Sequence, residues 1–436
     1  MRIFLGLTEV SGYASHLKQG FRQNGVEATL VDLGNRYRQY GGEDVPNLLV
    51  RLVQYCADQQ HDARGKNRIR RICWLSGEVI LRVLLLLWAL LHYDAFIFLY
   101  KSSFLFLYDL PLYKLFGKKL IFVMVGSDAR PPYINGVLAT DTQPRTLRRI
   151  VHLTKIIKRE IKQIERYADV IVSHPLFAQF ETRPFIGHVF IAFPSFPPDF
   201  TPALISAEQT KQHRVRILHA PSRPEAKGTP LIREAVAHLQ TKGFPVDLVE
   251  ITGLPNAVVL RELAACDFVF DQAYSDAFMP GLATEAAFFG KAVVIAGYEL
   301  GELSLHLPAE VVPPVLFVHP SEIEAAVEKL ITDESFRDEL GHKCKSFVEN
   351  YATPEAVAAR YLRLLRDDIP AEWISNPMDS LYVYGGGMPE SRLIPFLRAY
   401  IEYGGREALG LADKPDLEAR FLSLIHEAET APEHSG

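Results

Sequence analysis

The stretch His219–Thr229, HAPSRPEAKGT, sets Ser222, Arg223 and Lys227 between an apolar run and a helix-like run. Gly228 lets the backbone approach a ligand closely, and Thr229 suits a helix N-cap with Pro230 in the favoured first helical position. A helix start presents free N–H groups and partial positive charge, to which Lys227 adds a full one. Together these make an outline of an anion cradle. An ordinary strand-to-helix turn with solvated Arg and Lys fits the same residues, so the loop alone leaves both open.

About fifty residues on, CDFVFDQAYSDAFMPGLATEAAFFGKAVVIAG reads as a strand, a loop of small residues, a helix carrying Glu285 and another strand. A carboxylate accepts two hydroxyl hydrogen bonds and suits a diol, although a first-turn Glu is also favoured by the helix dipole. In VMVGSDARPPY, Asp128 and Arg130 follow an apolar run, where they either meet a substrate or pair to hold the turn. Gly12, in TEVSGYASHL, ends the first strand with Tyr13 and His16 beside it; turn geometry explains that glycine equally well.

These residues need elements to hold them. RIFLGL, VEATLVDL, DAFIFLY, KKLIFVMVG and ADVIVSH are short apolar strands separated by helical segments, which predicts a parallel, doubly wound sheet. A proline-rich segment follows, FIAFPSFPPDFTP, suited to a semi-rigid linker. The alternation then resumes with RVRILHAP, VDLVEITG, DFVFDQ, KAVVIAG and VLFVH, predicting a second such domain. Two open α/β sheets leave a cleft at the carboxyl ends of their strands, where ligands bind. After about Asp368 the pattern changes to an aromatic and glycine-rich segment with an amphipathic helix.

With 436 residues, 48% hydrophobic and 23% charged, the chain has the composition of a folded protein of two or three domains. Its four cysteines are scattered without metal-ligand spacing, which argues for a reducing compartment and against structural zinc. The N-terminus enters a strand directly, so a cytoplasmic location is expected. The apolar run Val83–Leu91 is nine residues, against about 20 needed to span a bilayer.

The phrases HAPSRPEAKGT, ITGLPN, DFVFDQ and ATEAAFFGKAVV together resemble the C-terminal, nucleotide-sugar-binding domain of the glycosyl transferase group 1 family, retaining glycosyltransferases of the GT-B fold. The resemblance covers roughly residues 214–360 well, and residues 1–200 more loosely through GSDARPPY and YADVIVSHP. It implies two Rossmann-like domains facing across a cleft: an acceptor-side domain over 1–195, a linker over 196–205, a donor domain over 206–368 and a helical extension over 369–436. It also implies that Lys227 and Arg223, with Ser222 competing for the latter's place, meet the donor diphosphate, and that Glu285 binds ribose hydroxyls. Gly228, Thr229, Phe278, Gly281 and Leu282 complete the donor side; Gly12, Tyr13 and Arg130 lie on the acceptor side. Lys227, Arg223 and Asp128 are the catalytic candidates, with no metal and no cofactor beyond the nucleotide sugar as co-substrate.

Two positions depart from the family pattern. A second Glu, eight residues before Glu285, is replaced by Ala277, for which the adjacent Asp276 is a candidate substitute. A histidine before GSD is replaced by Val125. These departures keep open a catalytically degenerate, nucleotide-sugar-binding scaffold; a nucleotide-sugar 2-epimerase would instead need an acid and base pair, for which His219 and Asp128 are unpatterned candidates.

Charge is uneven along the chain. Residues 1–200 carry 26 Lys+Arg against 17 Asp+Glu, and the remainder 21 against 35. Basic clusters in RGKNRIRR, YKLFGKK and RTLRRIVHLTKIIKREIKQIER interleave with apolar residues. They suit either a solvated helix face or peripheral contact with an anionic membrane, and through it a glycan or lipid-linked acceptor in polysaccharide or glycolipid assembly. No nucleic-acid motif accompanies them.

Overall fold

The computed structural model describes residues 1–33, 48–63, 68–197 and 214–430. The first half runs β1 (Arg2–Leu7), α1 (Tyr13–Gln23), β2 (Glu27–Asp32), α2 (Leu48–Asp62), α3 (Arg68–His92), β3 (Ala95–Leu99), α4 (Leu110–Leu115), β4 (Lys119–Val123), α5 (Pro144–Tyr167), β5 (Val170–Ser173), β6 (Phe185–Gly187) and α6 (His188–Ile191). The second runs β7 (Val215–His219), α7 (Pro224–Lys227), α8 (Thr229–Thr241), β8 (Val246–Glu250), α9 (Asn256–Ala265), β9 (Phe268–Gln272), α10 (Gly281–Phe288), β10 (Ala292–Ala296), α11 (Leu300–Leu305), β11 (Leu316–Val318), α12 (Ile323–Thr332) and α13 (Glu334–Tyr351). Then come α14 (Pro354–Leu365), β12 (Ile374–Ser375), α15 (Glu390–Gly404) and α16 (Pro415–Thr430).

Two sheets form, as expected. One has the order β12-β6-β5-β4-β3-β1-β2, parallel throughout except for β12, and the other the order β11-β10-β9-β7-β8, all parallel. Strands β3, β9 and β10 are buried along their whole length, because helices cover both sheet faces and leave no side for polar residues. On one face of the first sheet, α1 and α14 bury Tyr13, Leu17, Phe21, Val357 and Tyr361. On the other, α3, α4 and α5 cover Phe4, Phe96, Phe98 and Phe122. The architecture is the two-domain, doubly wound α/β arrangement of the GT-B fold.

Most of the linker predicted over 196–205 lies outside the described residues. The segment from α14 onward returns to the first sheet. Gly20 on α1 makes this possible: a Cβ there would stand 1.9 Å from the Pro354 carbonyl oxygen. β12 then pairs antiparallel with β6, and α15 and α16 pack Phe396, Tyr400 and Phe421 into the first core. The extension is thus a structural part of the first domain, and it includes a strand as well as helices.

Candidate active site

Strand β7 ends at His219, which is fully buried. Its Nδ1 lies 2.9 Å from the Phe270 carbonyl oxygen and its Nε2 2.8 Å from Thr229 Oγ1. The carbonyl can only accept, so Nδ1–H donates to it and Nε2 accepts from the threonine hydroxyl. Burial holds this imidazole below the ordinary histidine range. Thr229 is therefore not the N-cap expected from sequence: its hydroxyl turns inward, α8 begins at Thr229 itself, and Gly228 occupies the cap at φ 70°. A Cβ on Gly228 would lie 2.5 Å from that of Ala273, so only glycine lets the loop close against the side chains that follow β9.

That contact fixes Lys227. Its carbonyl accepts from Ala273 N at 2.9 Å, while its ammonium donates to Gln272 Oε1 and stands 3.9 Å from Asp271 Oδ1. Asp271 is buried, and its Oδ2 has no hydrogen-bond partner. Its charge, after burial itself, helps raise the Glu285 carboxyl on α10, which accepts from Asn256 Nδ2 at 3.4 Å. Asp271, Gln272 and Asn256 were missed at the sequence level. The signal available was the polar pair Asp-Gln ending an otherwise apolar strand.

The first domain meets this loop through Arg130, whose Nε donates to Asp276 Oδ2 at 2.6 Å and whose guanidinium pairs with the same oxygen. The two residues predicted for opposite sides of the cleft thus bind each other across it. Between the domains runs Gly385–Gly387. Gly136 N donates to the Gly386 carbonyl at 2.9 Å, and Gly387 N to the Tyr274 carbonyl at 2.9 Å. A Cβ on Gly386 would stand 2.8 Å from Asp276 Oδ1 and 3.1 Å from Arg130 Cζ. Side chains are excluded there, and the glycine triplet is explained.

Arg130, Ser222, Arg223, Lys227 and Asp276 line one recess of about 200 Å³ with Gly386 and Gly387. Three cations face one carboxylate, which favours an anion. The recess is smaller than the roughly 300–1,000 Å³ of ordinary small-molecule sites, so it has room for a diphosphate-sized group rather than a whole nucleotide sugar.

Gly228, Thr229, Phe278, Gly281, Leu282 and Glu285 do not line it. Phe278 is buried against His174 and Phe317, and Gly281 and Leu282 open α10. Asp128 is 1% exposed; its Oδ1 accepts from Val125 N at 3.0 Å, its Oδ2 has no partner, and burial raises its carboxyl. The side chain holds the loop carrying Arg130 rather than entering the recess.

On α1, Gly12 sits at the cap with φ 82°, and Tyr13 is buried with its hydroxyl 2.6 Å from that of Tyr361. Tyr13 is thus a core residue and not a cleft residue. Glu9, another residue the sequence did not mark, accepts from Val10 N, Ala14 N, Ser15 N and the Ser15 hydroxyl at 2.6–3.1 Å. The start of α1 is already answered by an internal carboxylate.

No family model and no curated protein matches the chain. Among solved structures it is similar to HepE of Anabaena in complex with UDP and glucose, at 12% identity and TM-score 0.44, over 84% of this chain and 99% of that one. It is similar to α,α-trehalose 6-phosphate synthase of Burkholderia multivorans at 11% identity and TM-score 0.46, over 84% and 96%. A third is the catalytic domain of starch synthase IV of Arabidopsis thaliana bound to ADP and acarbose, at 10% identity and TM-score 0.45, over 84% and 99%. At these identities the likeness is one of backbone course alone.

Proposed function

We propose that the chain is a glycosyltransferase of the group 1 type, moving a sugar from a nucleoside-diphosphate sugar to an acceptor with retention of configuration. The observation that carries this reading is the convergence of Arg130, Arg223 and Lys227 on one recess at the carboxyl ends of β7 and β9. As the glycosidic bond to the diphosphate breaks, negative charge grows on the leaving oxygen, and fixed cations there lower the barrier. Lys227 is tethered to a neutral amide, Gln272, so an arriving anion competes for its ammonium. These side chains supply the countercharge without a metal. Glu285, beside Asn256, is proposed for the ribose hydroxyls, and a glycan or lipid-linked molecule is proposed as acceptor.

A nucleotide-binding scaffold is the second reading, favoured by the Arg130 to Asp276 pair closing the cleft and by Ala277. A 2-epimerase is disfavoured, because both ring nitrogens of His219 are engaged away from the recess. Incubation with UDP-, GDP- and ADP-sugars separates the three. Nucleotide release with transfer supports the transferase, sugar inversion the epimerase, and a thermal shift without turnover the scaffold.

A further inference from the structure

The helical layer over the first sheet has an outer surface that water does not suit. Helix α3 is long and apolar enough to cross a membrane by length and composition. Its inner face forbids that, since Leu85, Leu86, Ala89 and Leu90 are locked into the core with Phe4 and Phe96. The outer face carries Ile69, Ile72, Ile80, Leu84, Leu87 and Leu91, all exposed, three or four residues apart except across Ser76, which takes the stripe position between Ile72 and Ile80. At 1.5 Å per residue that stripe runs about 33 Å.

Arg68, Arg70 and Arg71 are exposed in the first turn of α3, flanking Ile69 and Ile72, and beyond them no charge interrupts the stripe. Glu78 and Arg82 pair at 2.9 Å on the inner side, where Arg82 also donates to the Phe104 carbonyl. Antiparallel to α3, α2 adds exposed Leu48, Leu52 and Tyr55. The loop toward α4 adds Phe106 and Tyr108, so most of the exposed large apolar side chains among the described residues fall between Leu48 and Phe116. Scattered exposed apolar residues are ordinary; a continuous face of them marks an interaction surface.

The same helical layer supplies the complementary charge. Beyond Pro144, every exposed position of α5 is Arg, Lys or His, including Arg145, Arg148, Lys155, Arg159 and Arg166. Buried Leu147, Ile150, Ile157, Ile161 and Ile164 hold that helix to the sheet beneath. We propose that this layer docks on an anionic lipid bilayer, with α2 and α3 lying in the interface plane and the α5 cations on the headgroups. An in-plane amphipathic helix with a basic companion face is the arrangement that binds through buried apolar area plus headgroup attraction. The docking surface stands independently of the proposed activity, because none of its residues lines the recess.

The test is co-sedimentation of the full chain with vesicles of phosphatidylcholine alone or mixed with phosphatidylglycerol, across a salt series. The wild type is expected to sediment with the anionic vesicles, with affinity falling as salt rises. Ile80→Asp with Leu84→Asp should weaken it by at least roughly tenfold. Separately, Arg148→Glu, Lys155→Glu and Arg159→Glu should each cost about fivefold and flatten the salt dependence. Unchanged melting of the variants checks that they fold. The proposal is overturned if the wild type stays in the supernatant with anionic vesicles, or if the aspartate pair binds as wild type does. It is equally overturned if light scattering without lipid shows a dimer that the aspartate pair splits, since a second copy then covers the face.

Discussion

Lys227 joins the anion recess to the end of β9, so its removal should be read on ligand response and on folding separately. It is half-buried, donates to neutral Gln272 and stands 3.9 Å from buried Asp271, so its loss also leaves that carboxylate without a countercharge and lowers the melting temperature of the free protein. Lys227→Ala is expected to lower turnover by about 10²–10³, the range for losing one donor to a developing oxyanion. It should also abolish the nucleotide-induced melting shift; an intact shift would remove Lys227 from the donor site. Glu181 offers a different test. It is fully buried, accepts from Ser173 Oγ at 2.5 Å, and burial pushes its carboxyl up to about 8, with Glu165 and Asp128 acting the same way and Lys414 opposing. The folded state thus keeps a proton that the unfolded chain releases near its ordinary value of 4.5. That contribution to stability is present below the lower value and lost as pH rises toward the upper one. Melting temperature should decline between about pH 5 and about pH 8, and Glu181→Gln should flatten the decline. A variant that declines as steeply as wild type would show that another group titrates there.

At the scale of elements, the Gly385–Gly387 segment separates two loops that belong to different domains. Its backbone bonds to Gly136 and Tyr274, and Gly386 lies against both members of the Arg130 to Asp276 pair. Gly386→Val should overpack this contact and cost about 1–3 kcal/mol in denaturant titration. If the domains instead part easily, stability will hardly move. The strands were legible in the sequence because burial on both faces makes each a short apolar run, and the helices between them followed from periodicity. The Gly385–Gly387 segment was not legible, since its meaning lies in neighbours some 110 and 250 residues away in sequence. Thr229 was misread for a related reason: local rules make it a cap, but His219 beneath it offers a buried acceptor. Lys227, Arg223 and Ser222 were readable because one loop carries all three. Asp271 and Glu9 were not, because a lone carboxylate shows its role only when the amides or cations around it are known.

At the scale of the whole molecule, the chain closes on itself. The last segment leaves the second domain through α14, which packs on α1, and then completes the first domain with β12, α15 and α16. Tyr133 donates to the Leu409 carbonyl at 3.0 Å, and the Lys414 ammonium donates to the carbonyls of Ala178 and Pro377 at 2.9 and 2.8 Å. Leu393, Phe396, Leu397, Tyr400, Leu409 and Phe421 are all buried in the first core. Fully burying a side chain of this size contributes about 1.5–3 kcal/mol, so several together rival the 5–15 kcal/mol by which a domain is stable. A chain ending at Asp368 would uncover Val151 and Thr154 on α5, which Gly404 and Tyr400 lie against, leave the edge of β6 unpaired, and remove Gly386 from the cleft. Such a truncation is expected to lose the first domain, giving aggregated protein or a melting transition reduced to the second domain's share. Soluble expression with calorimetry checks this. A truncated protein that keeps one cooperative transition at the wild-type temperature would mean that the extension is a passenger, and that the first sheet holds its helices without it.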